Sequence, residues 1–425
     1  MFLPDFPRPR WERFRHAAIP ERGPIRTLTK VTLSNTIGNG LYFAISVIFF
    51  TRSVGLTNHQ VALGFGIAAA AGLIANVPAG HLADRHDPRK LAALFLSVEG
   101  LSMGAFVLVH SFSTFLAVSI LGSLAGSAGG SVRMAFMARF GVGEERVRVR
   151  AFQRSVSNLG MGIGFSIAGV ALAADTRSLY VAMVLVNAAT FIIAAVLILQ
   201  IPEMVPLSPT SETKTGPRLV VLRDHHFLIA SALGSCLSVQ AVVQGVGIPL
   251  WIIQYTRAPR WWVAVLMVVN TSAIVLLQVR MSKGTGDLQN AANIRRRSGF
   301  YMALACLIYA IAQGLNPVLA CLILLVGSAV DVTAELLSVS ASWGIGYGMA
   351  PEHLQGQYQG VYSMGGGIGM VYGPVFVTST AIAMGRVGWV ILAAFFVLSG
   401  AAFPPLIRSY LRARAAAPSV GGDLL

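Results

Sequence analysis

Apolar residues in this chain run in long blocks broken by short polar turns. A helix that crosses a hydrocarbon layer about 30 Å thick needs roughly 20 such residues, because each adds about 1.5 Å and every backbone polar group must be paired within the segment. Twelve segments meet that criterion: 29–50, 61–82, 91–110, 113–134, 153–173 and 179–200, then 227–253, 262–280, 298–314, 318–342, 358–382 and 388–407. The stretch 201–224, holding Pro202, Pro206, Pro209 and Pro217, divides them into two sets of six. The pattern predicts an all-α integral membrane protein: a tail over 1–26, a six-helix bundle over 27–200, a linker over 201–224, a second bundle over 225–408 and a tail over 409–425.

The charged turn Gly80 to Lys90, GHLADRHDPRK, joins the second and third segments. A loop this short forces its flanking helices antiparallel, and Arg85, Arg89 and Lys90 should hold it on the cytoplasmic side. The other cations agree. Of 32 Lys and Arg, 25 fall on the side of this loop, which also takes both termini and the linker. Five fall opposite, at Arg52, Arg177, Arg257, Arg260 and Arg386, and Arg133 and Arg154 lie inside segments. That bias predicts a multi-pass protein of the cell membrane with both termini cytoplasmic.

Composition excludes a water-soluble globule. The chain is 55% hydrophobic and 12% charged, with mean hydropathy +0.68, whereas soluble domains are about a quarter charged. The net charge of +15 lies in short clusters between apolar runs, so it reads as topology and no nucleic-acid partner is expected. Cys236, Cys306 and Cys321 lie inside apolar segments without paired spacing and read as packing residues. The first 26 residues have no apolar core or small-residue cleavage site, which reads as a cytoplasmic tail with Trp11 and Phe14 available to the membrane surface.

The two sets of six resemble each other. Gly160, Gly162, Ile163 and Gly164 in the fifth segment recur 205 positions later as Gly365, Gly367, Ile368 and Gly369 in the eleventh. A duplicated six-helix unit of parallel topology accounts for this and leaves a cavity between the halves.

With these residues in view, the chain resembles the major facilitator superfamily over nearly its whole length. That family's loop between helices two and three reads approximately G-x-L-A-D-R-x-G-R-[RK], which Gly80, Leu82, Ala83, Asp84, Arg85, Arg89 and Lys90 fit. Asp87 stands where glycine is usual, and Pro88 where a basic residue is common. The resemblance implies twelve transmembrane helices in two pseudo-symmetric bundles, with Asp84 and the cations latching the halves in one conformation. Physically, a carboxylate at a facing helix N-terminus gains about 0.3–1 kcal/mol, and arginines can pair with carboxylates across the interface. The alternative is a loop that only sets topology. The likeness is to efflux-type, multidrug members, with two departures. Their glycine-proline pair late in helix five is missing from Ile163 to Ala168 and appears instead as Gly373 and Pro374; their arginine near the start of helix four is missing from Ser113 to Leu121.

Five charges lie inside predicted segments: Glu99, Arg133, Arg154, Asp331 and Glu335. Each is costly unless it faces a partner or a wet cavity. Asp331 and Glu335, four apart, share one helix face, and the resemblance implies that helices one, four, seven and ten line the cavity. Arg133, at about the depth of Glu335, is expected to face Glu335 or Asp331 as a gate, and Asp331, nearest the midplane, to couple protons. Glu335 is either that gate or a residue at the wet mouth; Glu99 is either a second proton site or an interhelical hydrogen bond. Arg154 and Asn158 form a fork suited to an anionic or carbonyl-bearing substrate or to fixing a buried acid. Asn35 and Asn39, Gln240 and Gln244, and Asn270 either bind substrate or hold neighbouring helices. Gly122, Gly126 and Gly130, like Gly365, Gly369 and Gly373, read as packing ridges. Tyr42, Trp251 and Trp343 either stack on an apolar ligand or anchor at the interface.

The chain has no Ser-His-Asp arrangement, paired metal-ligand spacing or phosphate-cradling glycine loop, and the adjacent His225 and His226 point to different faces. Neither an enzyme nor a cofactor or metal site is expected. The reading is a monomeric secondary active transporter working by alternating access, with proton-coupled export of a small amphipathic drug or metabolite. Its alternatives are proton-coupled uptake of a metabolite and a membrane receptor or assembly factor of the same fold that moves nothing.

Overall fold

A computed structural model of the protein describes residues 23–141, 143–174, 176–202 and 219–416. The N-terminal 22 residues, with Trp11 and Phe14, the linker over 203–218 and the tail beyond residue 416 lie outside the described residues. The first half holds α1 (Pro24–Ile48), α2 (Asn58–Arg85), α3 (Pro88–Ala105), α4 (Phe112–Met137), α5 (Glu144–Ala174) and α6 (Arg177–Leu199). The second holds α7 (His225–Val242, continued through a π turn into Ile248–Tyr255), α8 (Trp262–Met281), α9 (Leu288–Ile311), α10 (Pro317–Gly348), α11 (Gln355–Val377) and α12 (Arg386–Ala401), followed by α13 (Phe403–Ala416). Polar caps set several of the starts. Thr57 with Gln60 and Ser111 with Thr114 form capping boxes on α2 and α4, and Asp224, Asp287 and Asn316 cap α7, α9 and α10.

Among the described residues, nine helices are long and apolar enough to cross a membrane. The remaining three, α5, α9 and α11, complete the twelve and are set apart by polar stretches: α5 begins Glu144-Glu145-Arg146, α9 holds Arg295–Arg297, and α11 opens Gln355-Gly356-Gln357. Here the structure departs from the hydropathy boundaries: α5 starts at Glu144, not 153, α9 at Leu288, not 298, and α10 runs to Gly348, not 342. The extensions of α5 and α9 pack through Val147, Val149, Ala291 and Ala292, while Glu144, Glu145, Arg296 and Arg297 stay exposed and lower the mean hydropathy of the stretch.

Each half has its own core. Leu28, Ile45, Phe50, Phe115, Phe136 and Phe191 fill the first; Phe227, Trp251, Tyr309, Trp389, Phe396 and Phe403 fill the second. The outer surface keeps large apolar side chains such as Ile74, Leu108 and Leu276 about three-quarters exposed, as a bilayer-covered surface requires. The glycine repeat has matching jobs. A Cβ on Gly164 would lie 2.2 Å from Ile37 O on α1, and one on Gly369 would lie 2.4 Å from Ser235 O on α7. So α5 lies on α1 as α11 lies on α7, which is the internal duplication seen in three dimensions. The α4 ridge divides its roles: Gly126 makes room for Glu99, and Gly130 opens into a cavity.

Candidate functional site

The described polar contacts joining the two halves gather in a seam near the face that carries the Gly80–Lys90 loop, here termed the basic face. At the end of α2, Asp84 receives two backbone N–H donors from the first turn of α11: Gly356 N at 2.6 Å to Oδ1 and Gln357 N at 2.9 Å to Oδ2. These are the orphan donors that every helix start presents. His81 Nδ1 lies 2.8 Å from Gln357 Nε2. The backbones approach so closely that a Cβ on Gly80 would sit 2.0 Å from Gly356 O, so only glycine fits. Burial pushes the guanidinium of Arg139, just past α4, below its ordinary value, and the nearby carboxylates of Asp84 and Asp87 push it back up.

Arg89 binds Asp87 and donates to the carbonyls of Leu199 and Ile201 in its own half, and Arg85 is exposed, as is Lys90. The unusual Asp87-Pro88 pair is explained locally: Asp87 caps α3 and Pro88 occupies its first turn. The seam on the other side, between α5 and α8, is a loose mirror image. Gly284 N donates to Glu144 Oε1 at 3.1 Å, and a Cβ on Gly286 would meet Glu144 N at 2.3 Å.

Deeper in the seam, the acids of α10 organise a network drawn from five helices. Asp331 is buried; Gln240 Nε2 donates to its Oδ1 at 2.9 Å, Gln244 Nε2 to the same oxygen at 3.1 Å, and Tyr309 Oη to Oδ2 at 3.2 Å. The same Gln244 nitrogen also donates to Glu335 Oε2 at 2.9 Å, where Asn270 Nδ2 adds a second donor at 2.9 Å. The other oxygen of Glu335 takes a hydrogen bond from Arg154 Nη2 of α5, an ion pair that joins the two halves. Asn158 Nδ2 donates to the carbonyl of Arg154 one turn earlier.

This corrects the expectation that Arg133 would face Glu335 or Asp331. The partner is Arg154. Arg133 shares the α4 face that packs on α3, where its charge acts on Glu99 and its Nη1 lies against Gly129. Arg133 lines the same cavity as Arg154 but bonds to neither acid among the described contacts. No hydrogen bond joins Glu99 to another helix among the described residues, and its Oε2 is buried without a partner. Gln240, Gln244 and Asn270 bind the acids of the network, while Asn35 and Asn39 face a cavity and each other at 3.4 Å. Tyr42, stacked on Phe106, and Trp251, stacked on Tyr255, are core residues; Trp343 lines the cavity.

Two cavities flank the ion pair. The larger, of about 700 Å³, lies toward α1, α4 and α5, and the smaller, of about 220 Å³, toward α7 and α10. Arg154 lines both, so its pair with Glu335 forms the partition between them. Sequence reasoning missed three residues here. Arg150, four before Arg154 on the same helix face, lines the larger cavity; Arg295 lines the smaller and donates to the hydroxyl of Ser338 at 2.6 Å while lying 5.3 Å over the Phe403 ring; Tyr309 binds Asp331. The spacing of Arg150 from Arg154 was the available signal for the first.

Known proteins agree with this architecture. Residues 30–374 match the family model described as Major Facilitator Superfamily. No curated protein sequence matches the chain. Similar solved structures include the human organic anion transporter MFSD10 (15% identity, TM-score 0.67), covering 92% of this chain and 100% of that one. FucP in its outward conformation is 14% identical, with TM-score 0.69 and coverage of 93% and 99%. The proton:xylose symporter XylE, bound to 6-bromo-6-deoxy-D-glucose, is 14% identical, with TM-score 0.65 and coverage of 89% and 94%. At such identities the likeness is one of fold, two six-helix bundles about a central seam. With the family model matching four-fifths of the sequence and the loop, repeat and seam all in place, the chain belongs to the Major Facilitator Superfamily.

Proposed function

We propose that the protein is a secondary active transporter of the cell membrane, with both termini cytoplasmic, that exports a small amphipathic molecule against proton entry by alternating access. The observation that carries this reading is the Arg154–Glu335 pair, made by one residue from each half and tied through Gln244 to Asp331. The halves cannot separate there without breaking it, and protonating Glu335 removes the attraction, so a proton and a change of access are linked. With the basic face cytoplasmic, the seam at Asp84 and Gly356 closes the inner side, and this conformer faces outward. Gly80 and Asp84 make the inner latch; Arg85, Arg89 and Lys90 set its side of the membrane.

A second reading, proton-coupled uptake, is favoured by the proton symporters among the similar folds and by the absence of the glycine-proline pair from α5. Reconstituted vesicles loaded with a pH-sensitive dye separate the two. A compound leaving as protons enter supports export, and movement of both in one direction replaces it with uptake. In either case Glu335→Gln should lose pH-driven accumulation while retaining exchange across a concentration gradient. No flux under any gradient would leave a receptor or assembly factor.

A further inference from the structure

We propose that the larger cavity is an anion site, in which the acidic group of an amphipathic organic anion docks among Arg133, Arg150 and Arg154 while its apolar body lies against Met134 and Trp343. This rests on the transport reading, since the anion would be the cargo. Three guanidiniums line the cavity and, among its described lining residues, there is no aspartate or glutamate. Their compensation is unequal. Arg154 has Glu335. Arg150 has a thioether and an aromatic face, with Nη1 2.9 Å from Met137 Sδ and its guanidinium 5.7 Å over the Trp343 ring, and it feels the like charges of Arg133 and Arg154. Arg133 makes no ion pair among the described residues, and Glu99, the acid its charge acts on, stands one helix back on α3 and off the cavity wall.

Arg133 Nη1, Arg150 Nε, Arg154 Nη1 and Asn35 Nδ2 are all buried donors without a hydrogen-bond partner among the described residues. Like charges held together away from water are costly until an opposite charge joins them, and guanidiniums recognise carboxylate, sulfonate and phosphate oxygens in pairs. A cationic cargo would meet no counter-charge on this wall, and a neutral one would leave the repulsion in place. Because Arg154 also lines the cavity, cargo and Glu335 compete for one guanidinium, so neutralising Glu335 should strengthen anion binding.

The test uses the purified full-length protein in detergent with four probes of one shape: 1-naphthoate, 1-naphthalenesulfonate, 1-naphthalenemethanol and 1-naphthylmethylammonium. Titration calorimetry and the unfolding midpoint should show binding and protection by the two anions alone. Arg150→Gln and Arg133→Gln should each weaken 1-naphthoate by about tenfold, and Glu335→Gln should tighten it by a similar factor. Arg150→Lys, which keeps the charge, should retain most of the affinity and serves if a glutamine variant fails to fold. Equal protection by the ammonium probe, no binding of either anion, or unchanged affinity in the variants would overturn the proposal. Binding is read without a gradient, so the two readings fail separately. Naphthoate bound but nothing transported sinks transport alone; proton-coupled flux of uncharged compounds with no naphthoate binding sinks the anion site alone.

Discussion

The pair formed by Arg154 and Glu335 concentrates the chemistry of the seam into two side chains. Replacing Arg154 by glutamine leaves a mostly buried carboxylate with only amide donors, and breaking such a pair from one side costs about 3–5 kcal/mol. The unfolding midpoint of Arg154→Gln in detergent should fall accordingly, and the double variant Arg154→Gln/Glu335→Gln should recover most of the loss. Part of this was legible in the chain. Asp331 and Glu335 lie four apart, and helical geometry alone puts them on one face, where the structure joins them through Gln244. Arg133 and Arg154 line one cavity, and which of them meets Glu335 depends on how α4 and α5 are turned against α10, which a sequence does not give. Arg150 and Arg295 went unseen because apolar windows end where charge begins, although both helices continue past that point.

At the scale of helices, small residues decide which elements touch. Gly164→Ala would drive a methyl into Ile37 O and Gly369→Ala into Ser235 O, whereas a Cβ at Gly162 or Gly366 meets nothing within 4 Å. The first two substitutions should each destabilise by about 1–3 kcal/mol and the last two should be near neutral, read by thermal unfolding. This contrast was only half legible: the repeat marked the helices, but which glycine of each cluster faces a partner is a matter of register. The latch offers a second test. Asp84→Asn removes the charge from the α11 N-terminus and turns one of the two acceptor oxygens into an amide donor facing a backbone N–H, a loss of about 2 kcal/mol and so roughly a thirtyfold shift away from the closed basic face. Distances between spin labels on the ends of α2 and α11 should lengthen in a larger fraction of molecules. Gly80→Val should prevent closure altogether.

Over the whole molecule, two bundles with separate main cores meet along an interface that is part polar and part apolar, the apolar part being Ala138, Val147 and Ala151 of one half packed with Trp343 and Tyr347 of the other. The twelve-helix fold was the most legible feature of all, because each span needs its own apolar block, while cation placement predicts which face is cytoplasmic. A fluorescent protein fused after Leu425 should glow and alkaline phosphatase fused there should be inactive; the reverse would invert the sidedness proposed above. One nitrogen, the amide of Gln244, reaches both acids of α10 at once. Neither acid can then be replaced without altering the other's hydrogen bond. The unfolding midpoints of Asp331→Asn, Glu335→Gln and the double variant should therefore be non-additive, whereas additive losses would show the shared amide to be without consequence.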